Sequence, residues 1–267
     1  MNKKTWIIFA AVVVVVLGGL ILLAKMGTPK VDVSSIDAWK IQSASKANGN
    51  IADHVKGNPD AKVILMEYGD FQCPYCGETY PGLKAISTDY NDQVAFVFCN
   101  FPLTTLHVNA RAAAAAAEAA GQLGGNNAYW KMHDALYDNQ STWENMSGND
   151  LTETFTQYAH SLGLDDSKFK AQLSNNASRI NQKISFDQAL GSKVGVNSTP
   201  SIYLNGTQLS ATIFQDLEQN NLGPLENAIN AALKEKGVTP PTITNNPTTT
   251  NTSAQTGSSS ETNASSK

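Results

Sequence analysis

The chain has 267 residues, of which 41% are hydrophobic and 16% charged, with a formal net charge of −4 and three cysteines. That length holds one ordinary domain with appendages, or two small domains at most, and a single core is expected. The weak negative charge excludes a basic surface for nucleic acid.

The N-terminal stretch "MNKKTWIIFAAVVVVVLGGLILLAK" contains, at residues 6–24, 19 uncharged residues. At ~1.5 Å per residue this is roughly 28 Å of helix, close to the thickness of a bilayer's hydrocarbon core. The run is longer than the ~7–15 apolar residues of a cleaved leader, and no clear small-x-small site precedes Lys25. Residues 1–25 are therefore expected to be a retained single-pass anchor rather than a cleaved signal, with the N-terminus inside and the remainder exported. Outside the cytoplasm disulfides form and persist, so a close cysteine pair there reads as redox before it reads as zinc.

Residues 26–56 are polar with scattered apolar positions (Val31, Ile36, Trp39, Ile41) and read as a linker that docks in part. The folded domain is expected over 57–237. "AKVILMEYGDF" opens it with an apolar run at 63–68, a buried strand. "CGETYPGLKAISTDY", 76–90, reads as a helix in which Pro81 is tolerated as a kink, and "QVAFVFCNFPL" as a second buried strand rich in Val and Phe. Strand, helix, strand in that order predicts a right-handed βαβ unit.

A helical block follows at about 106–192. "NARAAAAAAEAAGQLG" has high helix propensity and ends at Gly121 or beyond, and three further segments, the last at 166–191, continue it with capping residues or glycines at their ends. Strands return in "TPSIYLNG" and "TQLS", joined by the hairpin signal Asn205-Gly206. A last helix is expected over 223–236. Residues 238–267 include 15 Ser or Thr among 30 positions and almost nothing apolar, and read as a disordered tail.

The chemistry concentrates in "FQCPYCGE", 71–78. A cysteine at a helix N-terminus feels unpaired backbone N–H groups and the positive end of the helix dipole, which favours its thiolate, the reactive form in disulfide exchange. Cys73 has that place, and Cys76, one turn on, can close or resolve a mixed disulfide. A structural zinc site needs four ligands, whereas Cys73, Cys76 and Cys99 with the scattered His54, His107, His133 and His160 offer no second close-spaced pair. Pro74 and Tyr75 lie between the cysteines and tune the redox poise. Glu67, on the apolar strand, is either a buried carboxyl able to relay a proton to Cys76 or a strand-end residue turned to water. Cys99 reads first as a small buried hydrophobe, with a third redox-active thiol as the alternative. His107, His133, Tyr129, Trp130 and Met132 read as helix-start or packing residues of the helical block.

"GNPDAKVILMEYGDFQCPYC", "FVFCNFPL", "HVNARAAAAAAEAAG", "YWKMHDALY" and "VGVNSTPSIYLNG", in continuous order over about 50–236, resemble the DsbA-like thiol–disulfide oxidoreductases. The resemblance implies an α/β thioredoxin fold (βαβ … ββα) carrying a helical insertion, with Cys73 and Cys76 catalytic. It also implies a cis proline at Thr199-Pro200, lying against the cysteine pair and offering backbone groups to a substrate, and a supporting acid at Glu67. The expected activity is disulfide donation to exported proteins with free thiols, followed by reoxidation through a membrane partner; no organic or metal cofactor is implied. Reductase or isomerase chemistry on the same fold, and a surface binding module without catalysis, are the alternatives.

Overall fold

A computed structural model describes residues 31–243. Among these, five strands form one mixed sheet: β1 (Val55–Gly57), β2 (Val63–Gly69), β3 (Val94–Asn100), β4 (Ser201–Leu204) and β5 (Thr207–Gln208), in spatial order β1-β3-β2-β4-β5. β2 and β3 are parallel, joined through helix α1 (Pro74–Asp89), while β1, β4 and β5 each pair antiparallel with their neighbours. The two parallel strands are the apolar runs of the sequence, and every residue of β3 is buried, as a central strand covered on both faces requires. Asn205 and Gly206 take positive φ, 49° and 81°, which an Asn-Gly hairpin turn demands.

The helical insertion comprises α2 (Ala110–Asp138), α3 (Gln140–Trp143), α4 (Gly148–Ser161), α5 (Asp166–Asn175) and α6 (Ala177–Lys193). α2 breaks at Gly125, whose φ of 73° lies outside the helical region, so the alanine-rich and aromatic halves are two helical runs, as their separate patterns suggested. The single segment expected at 166–191 is divided at Asn176 into α5 and α6. Pro81 lies inside α1.

Three features depart from the sequence reading. First, residues 31–56 are not a partly docked linker. Met66, Tyr68, Val97, Cys99 and Tyr203 form the second face of the sheet, and Trp39 and Ile41 pack over them, Trp39 at 4.7 Å from Tyr203 between ring centroids. Val33 and Ala38 are buried against Phe186 and Leu190 of α6, and β1 adds a strand that the domain boundary at 57 would have cut off. Second, a helix α7 (Ala211–Glu218) precedes the expected last helix, α8 (Gly223–Glu235). Third, the tail boundary at 238 is early, because Val238 and Ile243 pack on the main core. Among the described residues no helix is long and apolar enough to cross a membrane, and the anchor expected at 1–25 and the tail beyond 243 lie outside them.

Candidate active site

The parallel strands β2 and β3 deliver their C-terminal ends, Gly69 and Asn100, side by side, and the loops leaving them build the site. This is where the crossing geometry of an α/β sheet opens a crevice. Cys73 is the N-cap of α1, in extended backbone geometry, with Pro74 at the first turn, where a missing N–H costs nothing. No acidic residue in that first turn competes for the helix's positive end.

Both cysteines are free thiols and both are buried, Cys76 completely. Their environments differ sharply. The Cys76 thiol and the backbone N–H groups of Cys76 and Tyr75, poised to donate to a Cys73 thiolate, outweigh its burial and draw its pKa down from 9.0 to about 6. In the neutral thiol, Cys73 Sγ donates to the Thr199 carbonyl at 3.4 Å. Burial, the hydrogen bond given to Cys73 and the nearby Glu67 push the Cys76 thiol well above the ordinary value. One sulfur is thus prepared as a thiolate and the other as a proton carrier.

Thr199-Pro200 is cis and brings the start of β4 against Cys73. Glu67 is buried in β2, between Phe98 and Ile202 of the flanking strands, and burial followed by the Cys73 charge raises its carboxyl from 4.5 to about 8. Of the two readings of this residue, the structure has the buried one. Tyr75 points outward, 61% exposed beside the buried sulfurs. Cys99 does not join the site: strand alternation puts it on the opposite face of the sheet, among Met66, Tyr68 and Tyr203.

Several residues that sequence reasoning missed hold the loop. The buried Asp70 accepts from the Gln72 and Leu103 N–H groups, each at 2.8 Å, and its Oδ2 lies 2.8 Å from His107 Nδ1, while its carbonyl receives the Cys73 N–H at 3.0 Å. His107 therefore braces the cysteine loop rather than merely starting a helix. Gln72 accepts from the Asn109 N–H and donates to the Glu144 carbonyl, and Gln140 donates to the carbonyls of Phe71 and Cys73. An Asp three residues before the cysteine pair was a readable signal; the glutamine contacts, 37 to 72 residues apart in the chain, were not. His133, Tyr129, Trp130 and Met132 are buried packing residues, His133 lying 4.8 Å from Phe98 between ring centroids, with burial lowering its pKa. Among the described residues no group of three or more His, Cys, Asp or Glu is placed to hold a metal ion.

A family model described as thioredoxin matches residues 49–220. The chain belongs to the thioredoxin family. Within it, this member carries a helical insertion between β3 and β4. A thioredoxin-like oxidoreductase from Silicibacter pomeroyi is 26% identical, with 68% of this chain and 92% of that one covered and a TM-score of 0.51. BdbD from Bacillus subtilis, in its oxidised form, shares the fold at 22% identity and a TM-score of 0.57, covering 73% of this chain and 98% of that one. Among curated proteins, the Na(+)/H(+) antiporter NhaA 1 of Salinispora arenicola is 36% identical over 154 residues, 58% of this chain and 22% of the antiporter. The chain thus spans about a fifth of the length of the curated relatives it matches.

Proposed function

We propose that this thioredoxin-family chain is an extracytoplasmic protein thiol–disulfide oxidoreductase that donates a Cys73–Cys76 disulfide to exported proteins with free thiols. One observation carries the reading. The Cys76 thiol and the Tyr75 and Cys76 amides at the helix N-terminus, poised to donate to the thiolate, draw the Cys73 pKa down to about 6, which stabilises the reduced pair. A disulfide whose reduced form is stabilised is readily given away.

In the forward reaction a substrate thiolate attacks Cys73 Sγ, the Cys73–Cys76 bond breaks, and Cys76 leaves as a thiolate that takes a proton. Glu67, still protonated at neutral pH with its pKa near 8, is the nearby carboxyl suited to supply it. The substrate's second thiolate then attacks the substrate sulfur of the mixed disulfide and expels Cys73 as its stabilised thiolate. Two electrons pass from the substrate dithiol to the pair, and the substrate gains one disulfide. The cis Thr199-Pro200 loop supplies the surface along which an extended substrate segment lies. Reoxidation returns the two electrons to a membrane partner, and an anchor at residues 1–25 would hold the enzyme near it. No metal or organic cofactor enters these steps.

The full chain is equilibrated in glutathione buffers, and Cys73, Cys76 and Cys99 are mapped by alkylation and mass spectrometry. Ready reduction of a Cys73–Cys76 disulfide by glutathione is the expected result. A disulfide that persists until a much stronger reductant is added would make the chain a reductase. Absence of the disulfide at every poise would leave a binding module, and an unaltered cellular function in Cys73→Ser would point the same way.

A further inference from the structure

The active-site loop is held from outside the thioredoxin core. Gln140 opens the short helix α3 and directs its side-chain amide at two backbone carbonyls, Phe71 O at 2.7 Å and Cys73 O at 3.0 Å. The Cys73 carbonyl also receives the Gly77 N–H at 3.1 Å, the first turn of α1. Each carbonyl oxygen has two lone pairs, so both bonds coexist. Fixing this carbonyl fixes the direction in which the Cys73 side chain leaves the chain, and hence the distance of its sulfur from the Tyr75 and Cys76 N–H groups.

Gln140 is itself firmly placed. Trp143, at the other end of α3, is fully buried and donates its indole N–H to the Leu136 carbonyl at 2.8 Å, and Asn139 Nδ2 donates to Ala135 O, closing the end of α2. On the cysteine side there is a matching vacancy: a methyl group at Gly77 would lie 2.7 Å from Gln140 Oε1, closer than packing allows. Gly77 does not need left-handed geometry, so its missing side chain serves the approach of Gln140. A cleft of about 280 Å³ runs along this contact, between Pro74, Gly77 and Glu78 on one side and Tyr137, Gln140 and Ser141 on the other.

We propose that Gln140 is a positioning residue for the reacting cysteine: through the Phe71 and Cys73 carbonyls, the helical insertion sets where the Cys73 sulfur sits against the N-terminus of α1, and so sets the redox poise of the pair. This rests on the oxidoreductase reading and adds a control point in the insertion, outside the cysteine motif and the cis-proline loop. Two substitutions test it without touching a cysteine. Gln140→Met keeps the length and shape of the side chain and removes its donors. Gly77→Ala leaves Gln140 in the sequence but displaces its amide, while alanine favours helix over glycine.

In the full chain, the Cys73 thiolate is titrated by its ultraviolet absorbance, the Cys73–Cys76 pair is equilibrated with glutathione, and melting temperatures are taken for oxidised and reduced forms. In both variants the Cys73 midpoint is expected to rise by about one unit, a roughly tenfold smaller thiolate fraction below the midpoint. The glutathione equilibrium then shifts about three- to tenfold toward the disulfide, and Gly77→Ala does so with no loss of melting temperature in the oxidised form. A midpoint and equilibrium equal to wild type in both variants would overturn the inference alone, even if Gln140→Met melts lower. A wild-type chain that never pairs Cys73 with Cys76 would overturn the oxidoreductase reading and the inference with it.

Discussion

Two groups of buried ionisable side chains flank the ends of β2 and β3, and they are built on opposite plans. Burial raises the Asp187 carboxyl to about 7, yet it and Asp53 are both paired with the ammonium of Lys183. That ammonium lies 2.8 Å from Asp53 and 2.6 Å from Asp187, Asn100 bridges Asp187 to Glu118, and His54 stands 3.3 Å from Glu118. Burial alone would depress the Lys183 pKa, but Asp187, Asp53 and Glu118 outweigh it and hold it well above the ordinary value. Glu118 is likewise drawn below the ordinary value against its burial, by His54, Lys183 and Asn100. The Glu67 carboxyl beside the cysteines has no such partner: among the described residues no cation meets it, and burial first, then the Cys73 charge, raises it to about 8. Buried charge that is neutralised locks parts of a fold together; buried acid left without a partner stays near its titration point and can carry a proton.

The largest effect that would break this contrast is on the paired side. Lys183→Met should cost about 3–5 kcal/mol in chemical denaturation, because Asp53 and Asp187 are left buried without their cation. It should also loosen residues 31–54, which Asp53 ties to α6, while the Cys73 titration stays as in wild type. A loss below about 1 kcal/mol would show that the cluster is hydrated and weak.

Glu67→Gln should do the reverse. A folded-state pKa raised from 4.5 to about 8 means that the wild type keeps its full stability below the ordinary carboxyl value and loses it as pH climbs toward 8. The variant has no proton to lose, so its stability advantage should be below about 1 kcal/mol at pH 5 and reach roughly 4 kcal/mol near pH 8. Its reaction with substrate thiols should fall about tenfold, since Cys76 loses its proton source. An advantage that does not change with pH would mean that Glu67 is ionised throughout.

The smallest effect concerns Cys99. Burial first, then Asp53 and Asp187, push its thiol well above the ordinary value, and the sheet separates it from Cys73 and Cys76. Cys99→Ala should cost about 1 kcal/mol and leave the glutathione equilibrium unchanged. A mixed disulfide at Cys99 in the oxidised wild type would contradict its placement.

Residues 63–100 were legible because their signals are local. The apolar runs of β2 and β3 can only be central strands, a cysteine followed by proline at a strand-to-helix turn is a helix N-cap, and Asn-Gly requires the turn it makes. β1 escaped because three residues carry no periodicity; they become a strand only by pairing with Val97, Phe96 and Ala95 some 40 positions on. α7 escaped because eight residues show barely two turns of pattern. The segment 31–56 looked like a linker because its apolar residues are sparse, yet they are spaced to cover a sheet face that the sequence does not display.

By itself, then, the sequence determined the strand pair, the helix that follows Cys73, the hairpin and the run of helices between strands, since each follows from residue-to-residue preference over a few positions. Only the tertiary structure decided which buried groups are paired and which are left poised. Asp70 with His107, Gln140 with the Phe71 and Cys73 carbonyls, Lys183 with Asp53, and Cys99 across the sheet from Cys73 are relations between chain segments tens of residues apart. Their energies depend on distance and burial, which exist only once the chain has closed on itself.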